Sequence, residues 1–194
     1  MKQLILASQS PRRAEIQKKA GIQFVSFPVH VSEIPDINLN MDEQIIDIAR
    51  RKAEASRASA QVQGLGGIIL SADTMVCFGS EALGKPENNQ VAFKYLKKLS
   101  GNKHQVKTAI YLINLDSGEC VSHIETTDVF FRNLSDQEIL DYIATGEPAD
   151  KAGAYAIQGL GGKFVEKFVG DFDNVVGLPL QALQKVFKLK AWNF

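Results

Sequence analysis

Short apolar runs of strand character alternate with amphipathic helical stripes along the whole chain, and this interleaving predicts an α/β fold built on a mixed sheet flanked by helices. The 194 residues are 45% hydrophobic, the apolar share of an ordinary folded domain, which excludes disorder and fibrous repeats. No Pro- or Ser-rich linker interrupts the pattern, so residues 1–194 are expected to form a single domain.

The elements follow in order. Leu4 to Ala7 reads as a buried strand. Ser10 and Pro11 then open a helix that runs to about Ala20 and stops at Gly21, because Ser suits the N-cap and Pro the first helical position. Ile22 to Val29 reads as a second strand, and His30 to Asp42 as an acidic loop holding Glu33 and Asp36. Glu43 to Ser59 is a long helix with Ile45, Ala49 and Ala53 on one stripe. After a loop at Gln63 to Gly67, Ile68 to Phe78 is the expected central strand, and Gly79 to Pro86 turns. Asn88 caps a helix that turns Val91, Tyr95 and Leu99 inward and stops at Gly101. Gln105 to Leu115 and Val121 to Phe131 form an antiparallel pair across Asp116–Glu119. Ser135 and Glu138 make a capping box for a helix ending at Gly146. A Gly-rich loop, a strand at Phe164 to Val169 and a helix after Pro179 complete the chain. The match between Gln63–Gly67 and Gln158–Gly162 has no matching flanks and reads as coincidence rather than duplication.

Composition narrows the function. With 22 Lys+Arg against 22 Asp+Glu the formal net charge is +0, so a general polyanion binder is excluded and no nucleic-acid partner is expected. Cys77 and Cys120 cannot make a disulfide framework, and no Cys/His spacing suggests zinc. The apolar run near the N-terminus is far below the about 7–15 residues of a secretory segment. No stretch approaches the roughly 20 apolar residues of a membrane span. A cytoplasmic protein with no membrane partner is expected.

Several residues break the structural pattern and so point to chemistry. Gly79 to Lys85 fits G-x-x-x-x-G-K, but the next residue is Pro86 rather than Ser or Thr. The metal-holding hydroxyl is missing and Lys85 is driven toward extended backbone, so this is no P-loop. Lys85 remains a candidate phosphate contact. Ser8, Ser10, Arg12 and Arg13 bring hydroxyls and guanidinium forks to the start of a helix, where anions bind; solvated arginines on a capped helix are the plain alternative. Lys52 falls on the apolar stripe of its helix, either snorkelling to water or meeting an anion in a polar cleft. Asp73 interrupts an apolar strand, where a carboxylate is costly unless paired, bonded to a backbone N–H or on a metal. Glu33 offers a second carboxylate. Paired carboxylates among cations are what Mg²⁺-assisted phosphoryl chemistry requires: hard oxygen ligands for the ion and positive charge for the phosphates. His30, His104 and His123 lack metal spacing and are expected to be structural.

Leu6–Arg13, Ala49–Ala53 with Lys52, Ala72–Thr74, Gly84–Pro86, Leu99–Gly101 with His104 and Thr108, Asp150–Gly153, Tyr155–Gly159 and Val176–Pro179 together resemble the Maf family, over nearly the whole chain and in the family's order. The resemblance implies an elongated Maf/ITPase-like sheet with two lobes around a central cleft. It also implies a nucleoside triphosphate pyrophosphatase needing a divalent cation (Mg²⁺ or Mn²⁺), with a homodimer as a permitted assembly. Arg12, Thr74 and Gln158 match the subgroup acting on dTTP and UTP. By the same resemblance Asp73 is the proton acceptor and a metal ligand with Glu33. Ser8, Ser10, Arg13, Lys52 and Lys85 contact phosphates, Lys52 and Lys85 being counted with the catalytic residues. The primary amide of Gln158 can answer both O4 and N3–H of a uracil or thymine edge. The alternatives are the sister specificity for 7-methyl-GTP and a non-enzymatic, nucleotide-sensing regulator of septum formation. If the cations stand unpaired around a cleft, removing Lys52 or Arg13 should leave stability unchanged or raised.

Overall fold

The computed structural model describes residues 3–59 and 64–192. Its strands are β1 (Gln3–Leu6), β2 (Val25–Ser26), β3 (Gly67–Phe78), β4 (Glu81–Leu83), β5 (Lys103–Asn114), β6 (Cys120–Phe131) and β7 (Val165–Val169). The helices are α1 (Pro11–Lys19), α2 (Met41–Ala58), α3 (Asn89–Leu99), α4 (Asp136–Ala144), α5 (Phe172–Val176) and α6 (Leu180–Leu189). The strands join in one mixed sheet in the order β2-β1-β3-β5-β6-β7, with β4 on β3. β1 runs parallel to β2 and β3, whereas β3–β4 and β6–β7 are antiparallel. The expected α/β class and mixed sheet are present.

The chain divides into two compact units, and the divisions fall inside β3, β5 and β6 and at the end of α5. The first comprises residues 1–73, 108–125 and 177–194. Part of its core is Ile5, Ala7, Ala53, Ile69 and Ile113, with Phe27, Val29, Tyr111 and Leu115 packed against them. The second comprises 74–107 and 126–176, with a core drawn from Val76, Leu83, Leu96, Leu99, Val106, Val129, Phe131, Ile139, Tyr155 and Phe164 among others. β3 is buried at every position but Asp73, Thr74 and Phe78, so the two polar residues stand where the apolar run breaks.

Local signals place most helices. Asn40 caps α2 and shares a capping box with Glu43, so the helix begins two residues before the expected Glu43. Ile45, Ala49 and Ala53 are fully buried, as the stripe requires. Ser135 and Glu138 form the predicted capping box of α4, and Asn88 accepts from the Val91 N–H at the start of α3. α6 starts after Pro179.

Several details differ from the sequence reading. The second strand shrinks from Ile22–Val29 to Val25–Ser26, an exposed edge where Pro28, having no N–H, cannot extend the ladder. Glu81–Leu83 is a strand rather than part of a turn. It folds back on Val76–Phe78 across Gly79 (φ 59), so the G-x-x-x-x-G-K segment is a hairpin. α3 is rotated by one position, burying Ala92 and Leu96 and leaving Val91 and Tyr95 half-buried. Ser10 occupies the N-cap of α1, yet its side chain makes no capping bond. α5 lacks a helical stripe in the sequence; Asn174 anchors it through Nδ2 to Val106 O and Thr127 Oγ1, both at 2.9 Å. The Gly-rich loop contains three 3-10 turns, at Glu147–Asp150, Ala152–Ala154 and Leu160–Phe164. Gln63, with which the first Gln-Gly-Leu-Gly-Gly run opens, lies outside the described residues.

His104 is structural, as expected. It is buried in the second unit, with Nε2 2.8 Å from the Tyr155 hydroxyl and its ring edge-on to Phe131. Burial pushes its pKa from 6.5 down to about 4, with Asp128 opposing. The unfolded chain therefore binds a proton at pH values where the folded chain does not, and stability falls as pH drops from 6.5 toward 4. About 3 kcal/mol should be lost across that window. Urea unfolding at several pH values should show this dependence in the wild type and lose it in His104→Gln; identical slopes in the two proteins would remove the assignment.

Candidate active site

The half-buried break in β3 is where the first unit gathers its charges. Ser71 and Asp73 are two apart and share a face of the strand. Ser71 Oγ donates to Ala49 O at 2.6 Å, which pins α2 against β3. One turn further along α2, Lys52 meets Asp73: Nζ lies 2.6 Å from Asp73 Oδ1 and 2.6 Å from Glu33 Oε1. The side chains are 9% exposed for Lys52, 15% for Asp73 and 48% for Glu33, so exposure rises from the lysine to the loop carboxylate. Lys52 therefore does not snorkel to water. The anions it meets are the protein's own carboxylates.

The first turn of α1 contributes the next layer. Ser8 Oγ accepts from the Ser10 N–H and from Arg13 Nη1, both at 3.1 Å, so its two lone pairs are engaged and its own O–H is left to donate. Arg13 is buried, and its Nε donates to Gly177 O at 2.8 Å. Burial lowers the Arg13 pKa, while Asp73 and Glu33 raise it and Arg12 adds to the lowering. These opposing influences put Arg13 within electrostatic reach of both carboxylates. The expectation of unpaired cations is therefore wrong for Lys52 and Arg13. A buried cation must be paired or bonded to a carbonyl, and each of these is. Arg12 is half-buried in the same turn.

The loop carrying Glu33 is braced from α2 by Arg51. Its guanidinium donates to Ser32 O and, at 2.9 Å, to Ile34 O, the carbonyls on either side of Glu33. Arg51 Nε is held in turn by Asp47 Oδ2 at 2.9 Å, one helical turn back. Arg51 was missed in the sequence. Its i,i+4 spacing from Asp47 is visible there, but it reads as an ordinary surface pair.

The structure thus brings Ser8, Ser10, Arg13, Lys52, Glu33 and Asp73 together in the first unit. Thr74, Lys85 and Gln158 belong to the second. Thr74 follows Asp73 on β3 and is half-buried, whereas Lys85 and Gln158 are exposed. The backbone beside Lys85 is tied to the loop that leads to Gln158, with Gly153 N donating to Gly84 O at 3.1 Å.

Two carboxylates converge on a single cationic atom, and their oxygens are the hard donors Mg²⁺ prefers. Among the described residues no three His, Cys, Asp or Glu side chains form a metal-holding group. Mg²⁺ commonly takes one or two carboxylates from a protein and leaves its other positions to phosphate and water, and Asp73 and Glu33 supply two. The residues fit such an ion.

Comparisons with known proteins agree with the fold. A protein of Bdellovibrio bacteriovorus named dTTP/UTP pyrophosphatase is 52% identical over 187 residues, covering 94% of this chain and 96% of its own. One of the same name from Caldicellulosiruptor saccharolyticus is 44% identical over 188 residues, covering 97% of this chain and 94% of its own. The fold is similar to that of the Ham1 protein of Staphylococcus aureus, with a TM-score of 0.50 at 12% identity, covering 97% of this chain and 100% of the other. Residues 3–189 match the family model described as Maf-like protein. With that match and these full-length relatives, the chain belongs to the Maf family.

Proposed function

We propose that this chain is a nucleoside triphosphate pyrophosphatase that hydrolyses dTTP and UTP to the nucleoside monophosphate and pyrophosphate. The observation that carries the reading is the Asp73 carboxylate held by Lys52 beside the Ser8–Arg13 anion donors. Asp73 accepts the proton of a water that attacks the α-phosphorus. The new bond joins water oxygen to phosphorus, the bond to the bridging oxygen breaks, and pyrophosphate leaves with that electron pair. In this reading Lys52, Arg13 and the Ser8 hydroxyl supply donors to the negative charge on the triphosphate, and fixed donors of this kind favour the transition state over bulk water. Lys85 and Ser10 add phosphate contacts in this reading. Asp73 and Glu33 would hold the divalent cation, which when bound neutralises phosphate charge.

Gln158 selects the base in this reading, with Arg12 and Thr74 shaping its entry. Its amide can accept from N3–H and donate to O4, whereas cytosine presents the reverse pattern. The test is product analysis with UTP, dTTP, CTP, purine triphosphates and 7-methyl-GTP in the presence of Mg²⁺. Monophosphate and pyrophosphate are expected from UTP and dTTP, with CTP and purines poor. Gln158→Leu should cost about 1–3 kcal/mol in kcat/KM for UTP, the usual penalty for polar groups left unpaired, and narrow the gap to CTP. A preference for 7-methyl-GTP would transfer the chain to the sister specificity. No turnover of any nucleotide would leave a sensing role.

A further inference from the structure

A carboxylate outside the phosphate chemistry organises the loop that carries Gln158. Glu147 opens the 3-10 turn after α4, directly behind Gly146 (φ 77). Both of its oxygens are engaged. Oε1 accepts from the Tyr142 hydroxyl at 2.8 Å and from the Gly161 N–H at 3.0 Å, and Oε2 accepts from the Leu160 N–H at 2.9 Å. Burial opposes ionisation here, but the backbone donors of Gly161 and Leu160 and the Tyr142 hydroxyl outweigh it, and the carboxyl pKa lies below its ordinary value. Tyr142 is itself fixed, buried on α4 with its ring edge-on to Phe164 at 4.9 Å.

The glycines around Gln158 have the same explanation. A Cβ on Gly159 would stand 2.4 Å from Glu147 Oε1, and one on Gly161 would stand 2.6 Å from the Tyr142 hydroxyl oxygen. At either position a Cβ would displace a side-chain end held by the hydrogen bonds above, so glycine lets the backbone close on this pair without disturbing them. The turn is completed by Gly159 N to Ala156 O and Gly162 N to Gly159 O, both at 3.1 Å. Gln158 sits inside this turn with its side chain exposed. An exposed amide on a free loop samples many orientations, whereas one on a pinned turn is presented in few.

We propose that Glu147, oriented by Tyr142, is a positioning residue for base selection: it clamps the Gly159–Gly161 backbone so that the Gln158 amide faces the pyrimidine edge. The proposal rests on the base-reading role given to Gln158 above. Glu147 touches no substrate; it acts through the loop.

The experiment measures kcat/KM for UTP and CTP in the wild type, Glu147→Gln, Gln158→Leu and the double variant. Glu147→Gln keeps the size of the side chain but turns an NH₂ toward a backbone N–H. It is expected to lower kcat/KM for UTP about tenfold and for CTP much less, so that the UTP:CTP ratio contracts. In the double variant the ratio should contract no further than in Gln158→Leu alone, the non-additivity of residues that act as a unit. Hydrogen exchange at the Leu160 and Gly161 amides should quicken in Glu147→Gln. Tyr142→Phe, which removes only the hydroxyl, should move the ratio in the same direction by less, and serves if Glu147→Gln fails to fold. Equal losses on UTP and CTP, or an additive double variant, would overturn the proposal and leave Glu147 a general support of the fold. If Gln158→Leu leaves the ratio unchanged, the base-reading role fails and the positioning role falls with it. If Gln158→Leu collapses the ratio and Glu147→Gln does not, only the Glu147 proposal falls.

Discussion

Asp73→Asn is expected to lower turnover of UTP by at least about 10²-fold, the lower range for loss of a general base. The amide keeps the shape of the side chain but loses its basicity and its charge. Lys52 Nζ retains Glu33 Oε1 at 2.6 Å, and the amide oxygen can still accept from it, so the ammonium is not stranded. The stability loss should therefore stay near about 1 kcal/mol, the net worth of a typical hydrogen bond. Steady-state kinetics beside a thermal melt check both parts. Turnover within a few-fold of wild type would remove Asp73 from the mechanism, and a collapsed melt would mean the loss reports folding rather than chemistry.

Lys52→Ala carries the second large effect, and its sign on stability reverses the one expected from the sequence. An unpaired cation in a cleft would be relieved by removal, but Lys52 is the ammonium between Asp73 and Glu33. Without it two carboxylates lose the ammonium they share, and one of them is only 15% exposed. A partner left in a desolvated setting costs on the order of 1–3 kcal/mol, so the melting temperature should fall. Catalysis should fall about tenfold to a hundredfold, the value of one charge-assisted contact to phosphate. The combined loss distinguishes this residue from a snorkelling lysine, whose removal would cost packing alone. Intact kinetics with a lowered melt would restrict Lys52 to a structural role, and a raised melt would contradict the bridge.

Local signals were legible because their partners lie three or four residues away. The Ser135–Glu138 box, the Asn88 cap and the Ile45–Ala49–Ala53 stripe each depend on one helical turn, and the chain carries that geometry wherever it goes. Anomalies were legible too. Lys52 on an apolar stripe and Asp73 in an apolar strand each cost free energy unless something answers them, and so marked the site before any partner was known. The sequence by itself therefore determined the α/β class, most elements, the family resemblance and the charged residues that matter.

Tertiary structure decided which charges answer which. Lys52 and Asp73 are 21 residues apart, and Glu147 reaches Leu160 and Gly161 across 13 and 14. No periodicity links such pairs, and they meet only once α2 packs on β3, or the loop closes over α4. Arg51 shows the same limit: its pairing with Asp47 is local, but its grip on the carbonyls flanking Glu33 spans 17 and 19 residues. The short β2 and the added β4 were likewise settled by which backbone N–H groups found a neighbouring strand. Side-chain chemistry and local geometry are written residue by residue, whereas the partner of a buried charge is chosen by the packed chain, where the cost of leaving it alone is highest.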